Sequence, residues 1–175
     1  VQWHYHPLSV EEEAPPKGRL EGSDSTVFGA VSVADKLDTL AGYFGLGESP
    51  TGSRDPYGLR RAGQGAVRAV LDFWRPGPGE KAPDLEALVA AAAVGYGALP
   101  QAAEKTVEAV LAFLTDRLAY VLAARGFSTN EVAAVTAAPL ARALADPIDA
   151  LRRVEALSTA EFVAGFEHDH STTSG

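Results

Sequence analysis

Along most of this chain, apolar residues return every three or four positions, which is the period of an α-helix. The repeat predicts a helix over 26–44, a second that begins at Asp55, and the longest over 101–126. No segment shows the strict alternation of apolar and polar residues that marks a half-buried strand. Only 8% of the residues are aromatic, and the apolar set is rich in Ala, Leu and Val, which also favours helix. We therefore predict an all-α fold of six to eight helices.

The same spacing predicts which face of each helix is buried. In the first helix the predicted inward positions are Val27, Val31, Ala34, Leu37, Ala41 and Phe44. In the second they are Leu59, Ala62, Ala66, Val70 and Phe73.

Residues that start and stop helices mark the expected boundaries. Asp24 or Ser25 can cap the first helix, and Gly45 ends it. Further along, Gly126 is expected to stop the longest helix, and Ser128 and Glu131 are expected to form a capping box for the next one. Asp146-Pro147 should open a helix that runs to about Leu157. Ser158 with Glu161 should open a last turn or two.

The Pro- and Gly-rich run RPGPGEKAP, at 75–83, is the clearest interruption of the helical pattern. We expect residues 1–75 to form one bundle, 76–83 a linker, and 84–167 a second small bundle. The polar end of the chain, residues 168–175, is predicted to be a disordered tail.

Charge and composition restrict the classes of function. The formal net charge of −8 argues against a general nucleic-acid coat but permits a local basic patch. The chain has no cysteine, which excludes disulfides and thiolate zinc sites and is compatible with the cytosol. No apolar run reaches the length of a membrane span, and no signal peptide is recognisable. The first residue is Val rather than Met, so we expect a piece of a longer protein.

The stretch SPTGSRDPYGLRR, at 49–61, combines turn residues with arginines. Pro50 and Gly52 predict a turn, and Asp55 with Pro56 predicts the capped start of a helix. A phosphate-binding loop would need a preceding strand and a lysine entering the helix, and both are missing from the pattern. Positive charges at a helix start oppose the helix dipole, which predicts an acidic partner or a bound phosphate backbone for this segment. The arginines concerned are Arg54, Arg60 and Arg61, with Arg68 further along.

Three groups of residues are candidates for metal binding. Asp35 and Asp38 lie three apart on a predicted helix, but a solvated face or a partner for nearby arginines is the more common role of such a pair. The two His-x-His-like clusters lie at the ends of the chain, and we interpret them as terminal histidines without a metal. They comprise His4 and His6, and His168 with Asp169 and His170.

Residues 33–68 have the sequence VADKLDTLAGYFGLGESPTGSRDPYGLRRAGQGAVR. From Ala34 to Arg68, this segment resembles the β subunit of bacterial two-subunit glycyl-tRNA synthetases. The family pattern is ADKLDTLxGxFxxGxxPTGSxDPxxLRRxxxGxxR. Weaker similarity extends in both directions, to HYHP near the start and to DPIDALRRVEAL near the end. In this resemblance, residues 1–75 are the end of an HD-like domain, and 84–167 are the start of an anticodon-binding-type helical domain.

The resemblance implies a cytoplasmic enzyme component whose partners are tRNA-Gly, the α subunit and the rest of the β subunit. Glycine activation with ATP and Mg²⁺ belongs to the α subunit, so no catalytic residue, metal or cofactor is expected in this segment. Arg54, Arg60, Arg61 and Arg68 are then candidates for tRNA contact, and Pro50, Gly52, Asp55 and Pro56 for the turn and cap. Asp35 falls at the last ligand position of HD phosphohydrolases, but the upstream His and His-Asp ligands are missing from this sequence.

Two other functions remain open. The chain could be a helical scaffold that binds protein rather than RNA, which the net charge of −8 favours for the isolated piece. It could also be a degenerate HD-type metal phosphohydrolase, although a single Asp cannot assemble a hydrolytic metal centre.

Overall fold

The computed structural model describes residues 23–74, 81–97, 99–137 and 142–171, with side chains described from 24 to 160 within those ranges. These residues contain no strand and only one isolated bridge, between Thr51 and Arg54, so the all-α prediction is confirmed. None of the described helices is long and apolar enough to cross a membrane. The helices are α1 (Ser23–Gly45), α2 (Leu59–Arg68) with a π-helical turn (Ala69–Phe73), α3 (Leu85–Gly95), α4 (Ala103–Ala124), α5 (Thr129–Thr136) and α6 (Pro147–Ser171).

One hydrophobic core joins the helices on the two sides of the predicted linker. α1 and α2 both pack against α4, and α3 lies against α1 and α4. The backbone N–H of Leu85 also donates to the carbonyl of Leu144, 2.9 Å away, and so connects α3 to the segment before α6. Residues 75–80 lie outside the described residues. The division into two domains stays a prediction, although the core itself is shared. Its most buried large side chains include Leu40, Leu59, Leu85, Leu114, Leu118 and Leu122.

The buried face of α1 differs from the predicted one. Leu37, Ala41 and Phe44 are buried as expected, but Val27 is 55% exposed, Val31 is 37% exposed, and Ala34 is exposed as well. The prediction was wrong at these three positions because α1 is apolar on two sides, and periodicity alone does not say which side meets the core. The buried face instead carries Phe28, Ser32, Val33, Lys36 and Leu40.

Two helices begin at other residues than predicted. α1 already includes Asp24 and Ser25 in its first turn, and the Ser25 hydroxyl donates to the carbonyl of Phe73, 2.9 Å away, rather than capping the helix. α2 begins at Leu59, so Pro56 lies in the turn before the helix and not at its first position. The end of α1 at Gly45 is as predicted.

The C-terminal helix is continuous where the sequence predicted two elements. α6 spans 25 residues, longer than α4, and Ser158 and Glu161 lie inside it. Instead of opening a helix, Ser158 contributes to lowering the pKa of Glu131 at the start of α5. α6 continues to Ser171, so residues 168–171 are helical, and 172–175 lie outside the described residues.

Two predicted boundary signals act as expected. Ser128 and Glu131 form a complete capping box at α5, with Ser128 N to Glu131 Oε2 at 2.6 Å and Glu131 N to Ser128 Oγ at 3.3 Å. Gly126 follows the C-cap residue of α4, Arg125, and has a φ of 99°. This left-handed backbone conformation favours glycine and ends the helix.

Candidate functional site

The segment 50–61, which we call the arginine elbow, is held by short-range hydrogen bonds. Thr51 and Arg54 exchange backbone hydrogen bonds of 3.1 and 2.8 Å, which closes a tight turn around Gly52. A second turn follows at once, because the N–H of Gly58 donates to the carbonyl of Asp55, 3.2 Å away. The two glycines have φ values of 52° and 67°, where a side chain would strain the backbone.

Asp55 binds the start of α2 from the turn that precedes the helix, whereas the residue at the N-cap position is Gly58. The two carboxylate oxygens of Asp55 accept hydrogen bonds from the backbone N–H groups of Leu59 and Arg60, at 2.7 and 3.0 Å. These bonds satisfy two donors that a helix start leaves without partners. Asp55 thus supplies acceptors to the start of α2 from outside the helix, and Pro56 serves at the second position of the turn, where its fixed φ is favourable.

Three of the four candidate arginines lie together on the elbow. Arg54 and Arg61 are exposed, and Arg60 is half-buried, with its guanidinium donating to the carbonyl of Gly52, 2.7 Å away. The guanidinium of Arg61 lies over Gly58, whose missing side chain gives it room. Within the described part of the chain, no carboxylate forms an ion pair with any of the three.

Arg68 is placed differently from the other three. Its side chain is 13% exposed, and its Nε lies 3.1 Å from the carboxylate of Asp72. The same carboxylate also binds Arg125, at 2.5 Å, which connects the π-helical turn to the end of α4. Arg68 is thus part of an internal ion-pair cluster and is not one of the open cations of the elbow.

A stacked pair of tyrosines borders the arginines, which the sequence reasoning missed. The rings of Tyr43 and Tyr57 have centroids 4.3 Å apart and planes inclined by 24°. Tyr43 packs on the core, whereas Tyr57 is 46% exposed in the turn between Arg54 and Arg60. An aromatic residue between arginines in a turn was the available signal, since such a ring can stack on a nucleotide base.

Asp35 and Asp38 of α1 do not form a metal centre with other described groups. Among the residues whose side chains are described, no three His, Asp or Glu residues gather as ligands. Asp35 is half-buried and Asp38 is exposed, and the carbonyl of Asp38 accepts a hydrogen bond from the hydroxyl of Tyr96, 3.0 Å away. His4 and His6, and the side chains of 168–170, lie outside the described residues.

Two pKa shifts accompany this part of α1. Burial lowers the pKa of Lys36, which is 5% exposed and donates to Ser32 Oγ at 2.9 Å, and the charge of Asp35 partly opposes the shift. Burial raises the pKa of Tyr96, and the carboxylate of Asp38 adds to this shift through a hydrogen bond and through its charge. Lys36 is thus buried beside Ser32 on α1, and Tyr96 links the end of α3 to α1.

Comparison with known proteins gives one consistent result. The family model described as "Glycyl-tRNA synthetase beta subunit" matches residues 4–137. The chain is 35% identical over 159 residues to a glycine–tRNA ligase beta subunit of Acidithiobacillus ferrooxidans, covering 90% of this chain and 20% of the relative. It is 37% identical over 166 residues to the one of Aromatoleum aromaticum, covering 94% of this chain and 22% of the relative. With the one of Pseudomonas aeruginosa it shares 41% over 155 residues, covering 86% of this chain and 20% of the relative. The chain thus spans about a fifth of the length of the curated relatives it matches.

Proposed function

The chain belongs to the family of glycyl-tRNA synthetase beta subunits, and we propose that it serves glycyl-tRNA synthesis by contacting tRNA-Gly through the arginine elbow. In this proposal it is a non-catalytic, cytoplasmic part of a glycine–tRNA ligase. Its partners are the α subunit, which uses ATP and Mg²⁺, and the remainder of a β subunit.

The observation that carries the proposal is that Arg54, Arg60 and Arg61 have no acidic partner among the described residues. Three cations lie within eight residues, at the start of α2, and no described carboxylate pairs with them. Asp55, the nearest carboxylate in the sequence, directs its oxygens to backbone N–H groups and forms no ion pair with these arginines. Phosphate oxygens of an RNA backbone would supply negatively charged acceptors for these guanidinium groups. Arginine commonly binds two such oxygens in a bidentate arrangement.

Rigidity of the elbow supports the same function. The turn at Thr51–Arg54, the hydrogen bonds that Asp55 accepts and the Arg60–Gly52 bond fix the backbone from which the arginines project. Little conformational entropy is then lost when a ligand binds, which favours affinity. The chain as a whole is acidic, with a formal net charge of −8, and this charge repels RNA at low salt. The attraction to RNA therefore comes from the local basic patch.

The test is the binding of tRNA-Gly to the wild type and to the double variant Arg60→Ala/Arg61→Ala at several salt concentrations. We expect the variant to bind more weakly, with a slope of log K against log[salt] reduced by about 1 for each lost phosphate contact. Arg152→Ala is the matched control, because Arg152 is exposed on α6, which packs against α5 and the π-helical turn.

Equal affinity and equal salt slope for the double variant and the wild type would contradict tRNA contact through the elbow. In that case the scaffold function would be favoured.

The hydrolase alternative would require a metal bound at Asp35. Among the described residues, no further His, Asp or Glu side chains gather with Asp35 as metal ligands. We therefore propose Asp35 as a degenerate HD position without a catalytic role.

A further inference from the structure

A groove between α1 and α3 is lined almost entirely by apolar side chains. It has a volume of about 590 Å³, and its polar lining residues are the aspartates Asp38 and Asp84. Most of its lining comes from small and branched apolar side chains of the two helices. They include Ala30, Val33, Ala34 and Leu37 of α1, and Ala87 and Leu88 of α3.

The outer face of α1 extends this apolar surface beyond the groove. Val27, Ala30, Val31 and Ala34 follow one another at helical spacing, and all four are exposed. On α3, Leu88 is 41% exposed beside them. Contiguous apolar surface of this kind is uncommon on a free protein and is typical of a contact surface.

The sequence of α1 gives an independent reason to expect a cover. Its opposite face lies in the core and is also largely apolar, with Phe28 and Leu40 almost fully buried beside Ser32 and Lys36. A helix that is apolar on both faces is normally enclosed on both. The sequence pattern that wrongly placed Val27 and Val31 in the core of this chain is correct if a second core lies on that side.

We propose that the α1–α3 groove binds an amphipathic helix from the part of a family-length β subunit that lies outside this chain. The curated relatives are more than four times as long as the chain, so most of such a subunit is available to supply it. The groove lies between two helices, which suits a third helix packed along it. Asp38 and Asp84 at its edge favour a helix with Lys or Arg beside its apolar stripe.

A second copy of this chain is a less suitable occupant. A two-fold contact through the groove would place Asp38 and Asp84 of both copies around one apolar seam. Like charges brought together at a desolvated contact oppose association.

The test uses the fact that the chain has no cysteine, so a single introduced thiol is a unique probe. The variants Ala34→Cys and Leu88→Cys place a thiol in the groove, and Val94→Cys is the control, since Val94 is 71% exposed on α3 and does not line it. Each is made in the 175-residue chain and in the Pseudomonas aeruginosa β subunit with its matching segment replaced by this chain. The rate of maleimide labelling at the introduced thiol is measured by peptide mass spectrometry.

We expect both groove thiols to react quickly in the 175-residue chain. Within the longer subunit they should react more slowly by about tenfold or more, since a covered thiol reacts only when the contact opens. The control thiol should react at the same rate in both proteins.

Equal labelling of the groove thiols in the two proteins would overturn the proposal. So would slow labelling in the 175-residue chain alone: if it depends on protein concentration, a second copy covers the groove, and if it does not, the chain covers its own groove.

Discussion

At the scale of single residues, the missing side chain of Gly63 sets how closely α2 approaches α4. A Cβ at this position would lie 2.8 Å from Phe113 Cε1 and 2.9 Å from Arg117 Cγ, both closer than real contacts allow. The guanidinium of Arg117 in turn lies 5.4 Å from the centre of the Phe113 ring and 5.8 Å from that of Tyr120. Gly63 thus lets an aromatic–arginine cluster pack directly on the backbone of α2.

Replacing Gly63 by Ala should therefore destabilise the protein, by about 1 kcal/mol, because overpacking outweighs the gain in helix propensity. Gly95→Ala is the matched change, since Gly95 is also helical but has nothing within 4 Å of the added carbon. It should raise the free energy of unfolding by up to about 1 kcal/mol. Urea denaturation of both variants measures the difference, and changes of the same sign would refute the close-contact explanation.

Tyr57 gives a second prediction at this scale, and it concerns RNA. If an unpaired base stacks on its open face, Tyr57→Ala should weaken binding of single-stranded RNA by about 1–3 kcal/mol. The salt slope should stay unchanged, because no phosphate contact is lost. Tyr57→Phe keeps the ring and should bind like the wild type. Fluorescence titration with a short oligonucleotide distinguishes these outcomes, and a changed salt slope for Tyr57→Ala would mean that the arginines had moved.

At the scale of elements, sequence predicted the helices well and their orientation less well. Capping residues act over a few bonds, so the box at Ser128 and Glu131 and the stop at Gly126 could be identified from local chemistry alone. The inward face of α1 depends on which neighbours the chain brings to it, and a helix with two apolar sides does not encode that choice locally. In the elbow, residue types predicted the turn and an acceptor role for Asp55, but the stacking of Tyr57 on Tyr43 depends on tertiary packing.

The Glu131 carboxylate at the start of α5 makes the free energy of unfolding depend on pH. Hydrogen bonds from the Ser128 hydroxyl, the Ser128 backbone and Ser158 hold the pKa of Glu131 below its ordinary value of 4.5. A depressed carboxyl pKa stabilises the folded state above the unfolded pKa, and this contribution is lost as the pH falls through the folded pKa.

We therefore expect Glu131→Gln to unfold more easily than the wild type at pH 7. The difference in unfolding free energy should shrink once the pH falls below 4.5, where the wild-type carboxylate takes up its proton. Chemical denaturation across this range is the measurement. A difference that stays constant with pH would show that the charge of Glu131 does not matter.

At the scale of the whole molecule, the shared core decides how the chain unfolds. Leu40 of α1 and Leu118 of α4 come from opposite sides of the predicted linker, yet both are fully buried in one cluster. The Asp72 carboxylate, bound by Arg68 and Arg125, also joins the two sides. A pattern of helices and breaks in a sequence locates a linker but does not reveal whether the segments it connects share a core.

Unfolding should accordingly occur in one cooperative transition. Leu40→Ala and Leu118→Ala should each cost about 2–5 kcal/mol and shift that same transition. Calorimetry checks this, because the calorimetric and van't Hoff enthalpies agree for a single transition. Two separate melting steps, each sensitive to one variant, would instead support two independent bundles.

The π-helical turn at Ala69–Phe73 carries a consequence for the length of this segment. Deleting one residue from it would rotate everything beyond by about 100° around the helix axis. Asp72 would then turn away from Arg125, and the carbonyl of Phe73 from Ser25, while the arginines upstream kept their positions. Insertions and deletions among homologous proteins should therefore avoid these five positions.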